Sequence, residues 1–401
     1  MLSNLGNILL ILIIIISFVI IYYSKKELEN VEKTSLIKLH NLNLFQTVFS
    51  ISCFFVLISG FITSDFSLSV VYNNSHTLKP IFYKISGAWG NHEGSLLLWV
   101  NILIIFSFFF FLYSKKFQRE YRIYTLIIQN VLIIGFLFFI LLNSNPFSLV
   151  IPTPKEGLGL NPILQDPALA IHPPLLYIGF VGSSIYFSAA MSSLITNYRG
   201  KLFANSIKSW VTISWCFQTL GIVVGSIWAY YELGWGGFWF WDPVENSSLM
   251  PWFIMTALIH SIVVLEKREK LYNWVIVLSL STFILSVTGT FLVRSGVLNS
   301  VHTFANDPTR GIYLLSFLSL MVFFSIYLFF KKKNYESYNF HFNSRETFIL
   351  LNNWLMAFFL VTVFIGTVYP IFTEVLYQTK ISVGPPFFNI VIIPLVIPLL
   401  I

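Results

Sequence analysis

Five of the eleven tryptophans lie within residues 228–252, which read WAYYELGWGGFWFWDPVENSSLMPW. In this tryptophan-rich segment, the adjacent Gly236 and Gly237 allow a flat object to approach the backbone closely. Residues 238–241 are four consecutive aromatic residues, which we interpret as a rigid platform. The pattern favours a docking face for a large planar aromatic ligand. An aromatic belt at a membrane surface is the alternative, but it does not account for paired glycines beside a helix start.

The end of this segment has the residue types of a helix N-terminus. Asp242 is expected to be the N-cap, Pro243 the first helical residue, and Glu245 the partner that closes a capping box. The segment residues that we predict to bind the ligand are Trp228, Trp235, Gly236, Gly237, Phe238, Trp239, Trp241, Asp242, Pro243, Glu245 and Asn246.

Two histidines flank the tryptophan-rich segment in the sequence. His172 directly precedes Pro173 at the mouth of an apolar run, and His302 lies a few residues before Asp307. Arg294 could pair with a ligand carboxylate or simply snorkel. Two imidazoles, a flat aromatic surface and a cation are what haem requires. Zinc is a poorer fit, because its sites usually take four ligands or three plus water, and the only cysteines lie in apolar runs.

His260 has a different setting, because it lies inside an apolar run. It follows Leu249 by eleven residues, which is roughly 16 Å along a helix. An ionisable side chain at that depth is a candidate functional residue. The alternative is a neutral His hydrogen-bonded to a neighbouring helix.

A second patch of Gly and Trp occurs at residues 87–95, GAWGNHEGS. It contains a His-Glu pair directly before an apolar run. A tight turn and a functional role both remain open for it.

The composition indicates an integral membrane protein. The 401 residues are 56% hydrophobic and 10% charged, with a mean hydropathy of +0.77. We therefore predict an all-α polytopic membrane protein, a single domain over residues 1–401 with about eleven transmembrane helices. The predicted spans are 6–23, 43–63, 95–113, 123–142, 173–196, 209–231, 249–265, 273–293, 311–330, 347–368 and 386–401.

The basic residues predict the orientation. Eighteen of the 24 Lys and Arg fall in alternate loops, and the remaining six fall in the intervening loops. The positive-inside rule places the N-terminus and the tryptophan-rich segment outside. The net charge of +7 therefore reflects topology, and we expect no nucleic acid partner. The absence of CxxC and CxxCH excludes a dithiol oxidoreductase and a c-type cytochrome.

The sequence resembles the CcmF-type cytochrome c haem lyases, a haem-handling family marked by a tryptophan-rich "WWD" segment. Phe238 stands where the family usually has Trp. The matching stretches are ISGAWGNHEGSLLLW (85–99), NPILQDPALAIHPPLLYIGF (161–180), WAYYELGWGGFWFWDPVEN (228–246), GTFLVRSGVLNSVHTFANDPTRG (289–311) and ISVGPPFF (381–388).

The resemblance implies that His172 and His302 are the axial ligands of a haem that is being transferred. It also implies that His260 ligates a resident b-type haem within the membrane, with electrons possibly drawn from quinol. The implied reaction attaches haem, delivered by a haem chaperone, to the CxxCH thiols of apocytochrome c. Other haem lyase subunits and membrane lipid are the further expected partners. We assign no catalytic acid or base.

In the family, the second ligand of the resident haem is a His in a later spanning helix. This sequence has none there, so we expect a split chain, a truncated chain or an incomplete site. The implied location is the bacterial plasma membrane with a periplasmic active face, or the mitochondrial inner membrane. A haem exporter and a quinone-linked electron carrier are the competing functions. The first would need a polar path across the bilayer, and the second would not need the aromatic platform.

Overall fold

The computed structural model describes residues 1–29, 36–234, 237–295, 308–332, 341, 343–379 and 381–400. These residues form α-helices and two short 3-10 helices. They contain one isolated β-bridge, between Leu68 and Leu149, and no extended β-strand. The helices are α1 (Leu2–Glu29), α2 (Ile37–Ile62), α3 (Ser69–Asn74), α4 (Ile81–Gly87), α5 (His92–Tyr113), α6 (Arg119–Asn143), α7 (Pro167–Thr196), α8 (Gly200–Glu232), α9 (Pro243–Arg268), α10 (Tyr272–Arg294), α11 (Pro308–Lys332), α12 (Arg345–Tyr377) and α13 (Pro385–Leu400).

The predicted all-α membrane fold is confirmed. Within the described residues, ten helices are long and apolar enough to cross a membrane. They correspond to the first ten predicted spans. The eleventh predicted span, 386–401, corresponds to α13, a shorter apolar helix of 16 residues.

The chain divides into two compact units, residues 1–192 and residues 193–401. The single domain expected over residues 1–401 remains a prediction.

The first unit is built on α1, α2, α5 and α6. Its buried interior contains amide and hydroxyl side chains as well as apolar ones. The Gln46 amide, which is fully buried, donates to Ser17 at 2.7 Å and to Asn130 at 2.9 Å, joining α2 to α1 and α6. Such polar bonds are common between helices in membranes, where lipid is as apolar as the helix surfaces.

The two long connecting segments of this unit, 63–91 and 144–166, bind each other. The amide of Ser69 donates to the carbonyl of Ser148 at 2.8 Å, beside the Leu68–Leu149 bridge. The Glu156 carboxylate accepts from the amide and the hydroxyl of Thr77 at 3.0 and 2.6 Å. The Thr77 hydroxyl bond is the main cause that lowers the pKa of Glu156 to about 2.

The second unit is organised around α9, which packs against α8, α10 and α12. Two tryptophans join α8 to α9 reciprocally. The Trp215 indole donates to Thr256 at 2.9 Å, and the Trp252 indole donates to Thr219 at 2.8 Å. Each threonine in turn donates to the backbone carbonyl of the tryptophan four residues earlier in its own helix, and the two indoles stack 6.2 Å apart. This packing joins the middle of α8 to the middle of α9.

Candidate functional site

The start of α9 has the expected capping box. The Asp242 side chain accepts from the amide of Val244 at 2.9 Å, and Pro243 is the first helical residue. The Glu245 carboxylate reaches back and accepts from the amide of Asp242 at 3.1 Å. The local prediction from the DPVE residue types is therefore confirmed.

Glu245 also holds the residues that precede the helix. The same carboxylate oxygen accepts from the amide of Phe240 at 3.0 Å. Buried Asn246 donates to the carbonyl of Trp241 at 2.9 Å and to the Thr367 hydroxyl of α12 at 3.0 Å. Trp241 has a φ of 58°, in the left-handed region that non-glycine residues rarely adopt. These side-chain bonds restrain Trp241 in that conformation, because they hold both polar groups of the peptide that follows it and the amide of Phe240 before it.

The aromatic rings form two stacks rather than one flat surface. Phe238 stacks on Tyr230 of α8, with centroids 4.3 Å apart and planes 9° apart, and about half of each side chain is exposed. Trp241 stacks on Phe388 of α13 at 4.9 Å. Trp239 lies edge-on to Trp241, with their planes at 88°. The first stack is open to a ligand, whereas the second anchors the segment to α13.

Further contacts complete the anchor. The Trp241 indole donates to the Asn389 side chain at 2.9 Å. Phe388 is fully buried, and its ring fills the space where a Cβ on Gly366 of α12 would lie, 2.6 Å away. The Trp239 indole nitrogen is buried without an acceptor among the described residues.

The remaining predicted residues of the segment have different settings. Gly237 is partly exposed, with the Phe240 ring 3.4 Å from the position of a Cβ. Trp228 is only 3% exposed, near the end of α8. Trp235 and Gly236 lie outside the described residues.

His172 belongs to the first unit and lies in the second turn of α7, half-buried. The helix begins at Pro167, earlier than the predicted span, because Asp166 caps it by accepting from the amide of Leu169 at 3.0 Å. Arg294, the last residue of α10 in the second unit, is only 3% exposed. His302 lies outside the described residues.

His260 lies on α9 eight residues before Arg268, roughly 12 Å from that end of the helix. Its imidazole is exposed, and Nδ1 lies 2.8 Å from the carbonyl oxygen of Thr256. A carbonyl only accepts, so the tautomer that makes this bond carries its proton on Nδ1 and leaves the lone pair on Nε2. Nε2 is therefore the nitrogen with which this residue can ligate a metal.

Comparison with known proteins adds the decisive observation. Residues 89–298, more than half of the chain, match the family described as "Cytochrome C assembly protein". The chain belongs to this family. The match includes the tryptophan-rich segment, His172 and His260.

Relatives within the cytochrome c assembly family are similar over most of this chain. The cytochrome c-type biogenesis protein CycK of Rhizobium meliloti is 49% identical over 349 residues, 86% of this chain and 52% of CycK. The cytochrome c-type biogenesis protein CcmF of Escherichia coli is 45% identical over 348 residues, 86% of this chain and 54% of CcmF. The chain thus spans about half the length of these curated relatives.

A solved structure supports the same assignment. The structure titled "Cytochrome c Heme Lyase CcmF" superposes with a TM-score of 0.80 and 26% identity, covering 98% of this chain and 59% of the other. The resemblance to CcmF-type proteins is confirmed.

Several residues that build the site were not expected from the sequence. Within the tryptophan-rich segment, Tyr230 stacks on Phe238. Trp241 contacts Phe388 and Asn389 of α13, and Asn246 donates a hydrogen bond to Thr367 of α12. Tyr230 lies inside the tryptophan-rich segment, so its aromatic type was a usable signal. The α12 and α13 residues lie more than 100 positions along the chain. Phe388 ends the matching stretch 381–388, but no local pattern marks Thr367 or Asn389.

Replacing Glu245 by alanine is expected to release the segment that precedes α9. Two bonds to a carboxylate are lost, and a bond to a charged group contributes about 1.5–3 kcal/mol. Amide hydrogen exchange at Phe240 and Asp242 should accelerate by roughly tenfold or more. Glu232→Ala, an exposed carboxylate at the end of α8, is the matched control. Unchanged exchange in Glu245→Ala would contradict the role given to this carboxylate.

Proposed function

We propose that this chain provides the haem-handling part of a cytochrome c haem lyase. In this proposal, the tryptophan-rich segment binds haem delivered by a haem chaperone and presents it to apocytochrome c. The observation that carries the proposal is the frame built by Asp242, Glu245 and Asn246, which fixes the aromatic residues before any ligand binds. Family membership and the relatives' roles in cytochrome c biogenesis support it.

The exposed stack of Tyr230 and Phe238 offers a flat face of the kind that a haem macrocycle packs against. His172 and His302 would provide the two axial nitrogens for the iron, and Arg294 would pair with a propionate. Gly236 and Gly237 would let the macrocycle approach the backbone closely. These roles complete the ligand assignments made from the sequence.

The reaction that we propose forms two thioether bonds. Each thiol of the apocytochrome CxxCH motif adds across one haem vinyl group, forming a sulfur–carbon bond while the thiol hydrogen goes to the neighbouring carbon. No atom leaves, so the step is an addition. The lyase contributes position and exclusion of water, and no side chain of this chain is assigned as its acid or base.

A resident b-type haem is proposed at His260. The residue fits one axial position, since the Thr256 carbonyl orients the imidazole and leaves Nε2 as the ligating atom. When bound, this haem would supply electrons, drawn from quinol, that keep the transferred iron reduced. An exposed ionisable side chain at this depth is costly unless another group covers it. We therefore propose that a residue outside this sequence provides the second ligand.

The proposed location is the bacterial plasma membrane, with the tryptophan-rich segment and the N-terminus on the periplasmic side. The mitochondrial inner membrane is compatible with the same charge pattern. The asymmetry of Lys and Arg between alternate loops supports this orientation. The proposed partners are the haem chaperone, apocytochrome c, other haem lyase subunits and membrane lipid.

Replacing Trp235 and Trp239 together by alanine is the test of haem contact. Loss of aromatic packing should weaken capture of the haem-loaded chaperone by roughly tenfold, with little effect on the empty chaperone. Pull-down of both chaperone forms by membranes measures the difference. Trp354→Ala, an exposed tryptophan of α12, is the matched control. Equal losses for the two chaperone forms would indicate a folding defect and contradict the proposal.

A further inference from the structure

The first turns of α7, which carry His172, lack part of the normal helical hydrogen bonding. Pro173 and Pro174 lie inside this helix and have no backbone N–H. In an α-helix the amide of a residue donates to the carbonyl four residues earlier. The carbonyls of Leu169 and Ala170 are therefore deprived of their helical donors, just before His172.

One of these two carbonyls receives a donor from a distant part of the same unit. The indole Nε1 of Trp89 donates to the carbonyl of Ala170 at 2.9 Å. Ala170 is itself 5% exposed, so water does not substitute easily. Trp89 thus supplies the hydrogen bond that Pro174 cannot make.

Trp89 is held on a rigid turn. Asn91 caps α5 by accepting from the amide of Gly94 at 2.7 Å and donates to the carbonyl of Gly87 at 2.6 Å. A Cβ on Gly94 would lie 1.8 Å from the carbonyl oxygen of Ala88, so only glycine fits. The Trp89 ring also stacks with Phe54 of α2 at 6.4 Å. The GAWGNHEG motif therefore presents the indole N–H from a fixed position.

We propose that Trp89 is a positioning residue for His172. Its indole anchors the proline-interrupted first turns of α7, and that anchor sets the orientation from which the His172 imidazole reaches its ligand. The anchoring of α7 rests on the Trp89 hydrogen bond alone. The effect on the ligand rests on the proposed function, in which His172 binds the iron of the transferred haem.

Hydrogen exchange of the 401-residue chain in detergent, without haem, tests the anchor. Trp89→Phe keeps an aromatic ring beside Phe54 but removes the N–H. Exchange of the amides of residues 169–172 should rise about fivefold, as loss of one hydrogen bond predicts. Phe54→Leu is the matched control, which removes the ring stack and leaves the N–H in place, and its exchange should rise less than that of Trp89→Phe.

A second-site variant makes the test specific to the hydrogen bond. Pro174→Ala returns a backbone N–H that can donate to the Ala170 carbonyl. Adding Pro174→Ala to Trp89→Phe should bring exchange back to the original rate. Unchanged exchange in Trp89→Phe, or failure of Pro174→Ala to restore it, overturns the inference.

Haem spectra connect the anchor to His172. In protein loaded with haem, the low-spin absorbance that depends on His172 is lost as the pH is lowered. The midpoint pH of this loss should be higher in Trp89→Phe than in the original protein, because a mispositioned imidazole competes less well with protons. A role in folding alone would lower the yield and leave this midpoint unchanged, which would overturn the positioning role. If His172→Ala leaves the spectrum unchanged, the proposed function itself fails. This failure is distinguishable from a failure of the anchor, because the exchange test uses protein without haem.

Discussion

Replacing His172 or His302 by alanine is expected to abolish formation of holocytochrome c while the protein still inserts in the membrane. Each variant removes one of the two axial nitrogens proposed for the transferred haem, and a low-spin b-type iron needs both. Haem-stained yield of a reporter cytochrome c, measured against membrane levels of the lyase chain, gives the result. We expect the yield to fall below detection.

A third histidine provides the control for these two variants. His76 lies in the same connecting region as Thr77 and is part-exposed, 3.9 Å from Glu156. His76→Ala should leave the cytochrome yield unchanged, since this imidazole is engaged with a neighbouring carboxylate. A normal yield from the His172→Ala, His302→Ala double variant would refute the axial assignment.

Replacing His260 by alanine is expected to remove the b-type haem spectrum from the assembled lyase complex. The exposed imidazole of α9 offers Nε2 as a ligand, because Nδ1 donates to the carbonyl of Thr256. Without that nitrogen the iron retains at most one protein ligand. The reduced-minus-oxidised difference spectrum of the purified complex measures the loss, which we expect to be complete.

His341→Ala is the matched control for His260, because His341 is exposed but precedes α12 instead of lying within a membrane-spanning helix. Its spectrum should be unchanged. A b-type spectrum that survives in His260→Ala would show that another residue holds the resident haem. A spectrum that disappears when His172 and His302 are changed, but not His260, would assign that absorbance to the transferred haem.

Trp241 illustrates why residue type does not predict which rings of the tryptophan-rich segment are exposed. In the sequence it is one of four consecutive aromatic residues, and nothing in the pattern distinguishes it from the other three as part of the predicted platform. In the structure it turns toward α13, stacks on Phe388 and donates to Asn389. Phe238 faces outward with Tyr230 instead. The choice between the two stacks is made by the left-handed backbone at Trp241 and by packing partners that are distant in sequence.

The sequence by itself determined the all-α membrane fold, the first ten spans and the capped start of α9. These features depend on hydropathy over about 20 residues or on side chains within one helical turn. Only the tertiary structure decided that Trp89 supplies the donor missing at Ala170 and that His260 is exposed. In a membrane both the lipid-facing and the protein-facing sides of a helix are apolar, so hydropathy does not reveal which side is buried. The neighbours of a side chain then follow from helix packing between residues far apart in the chain.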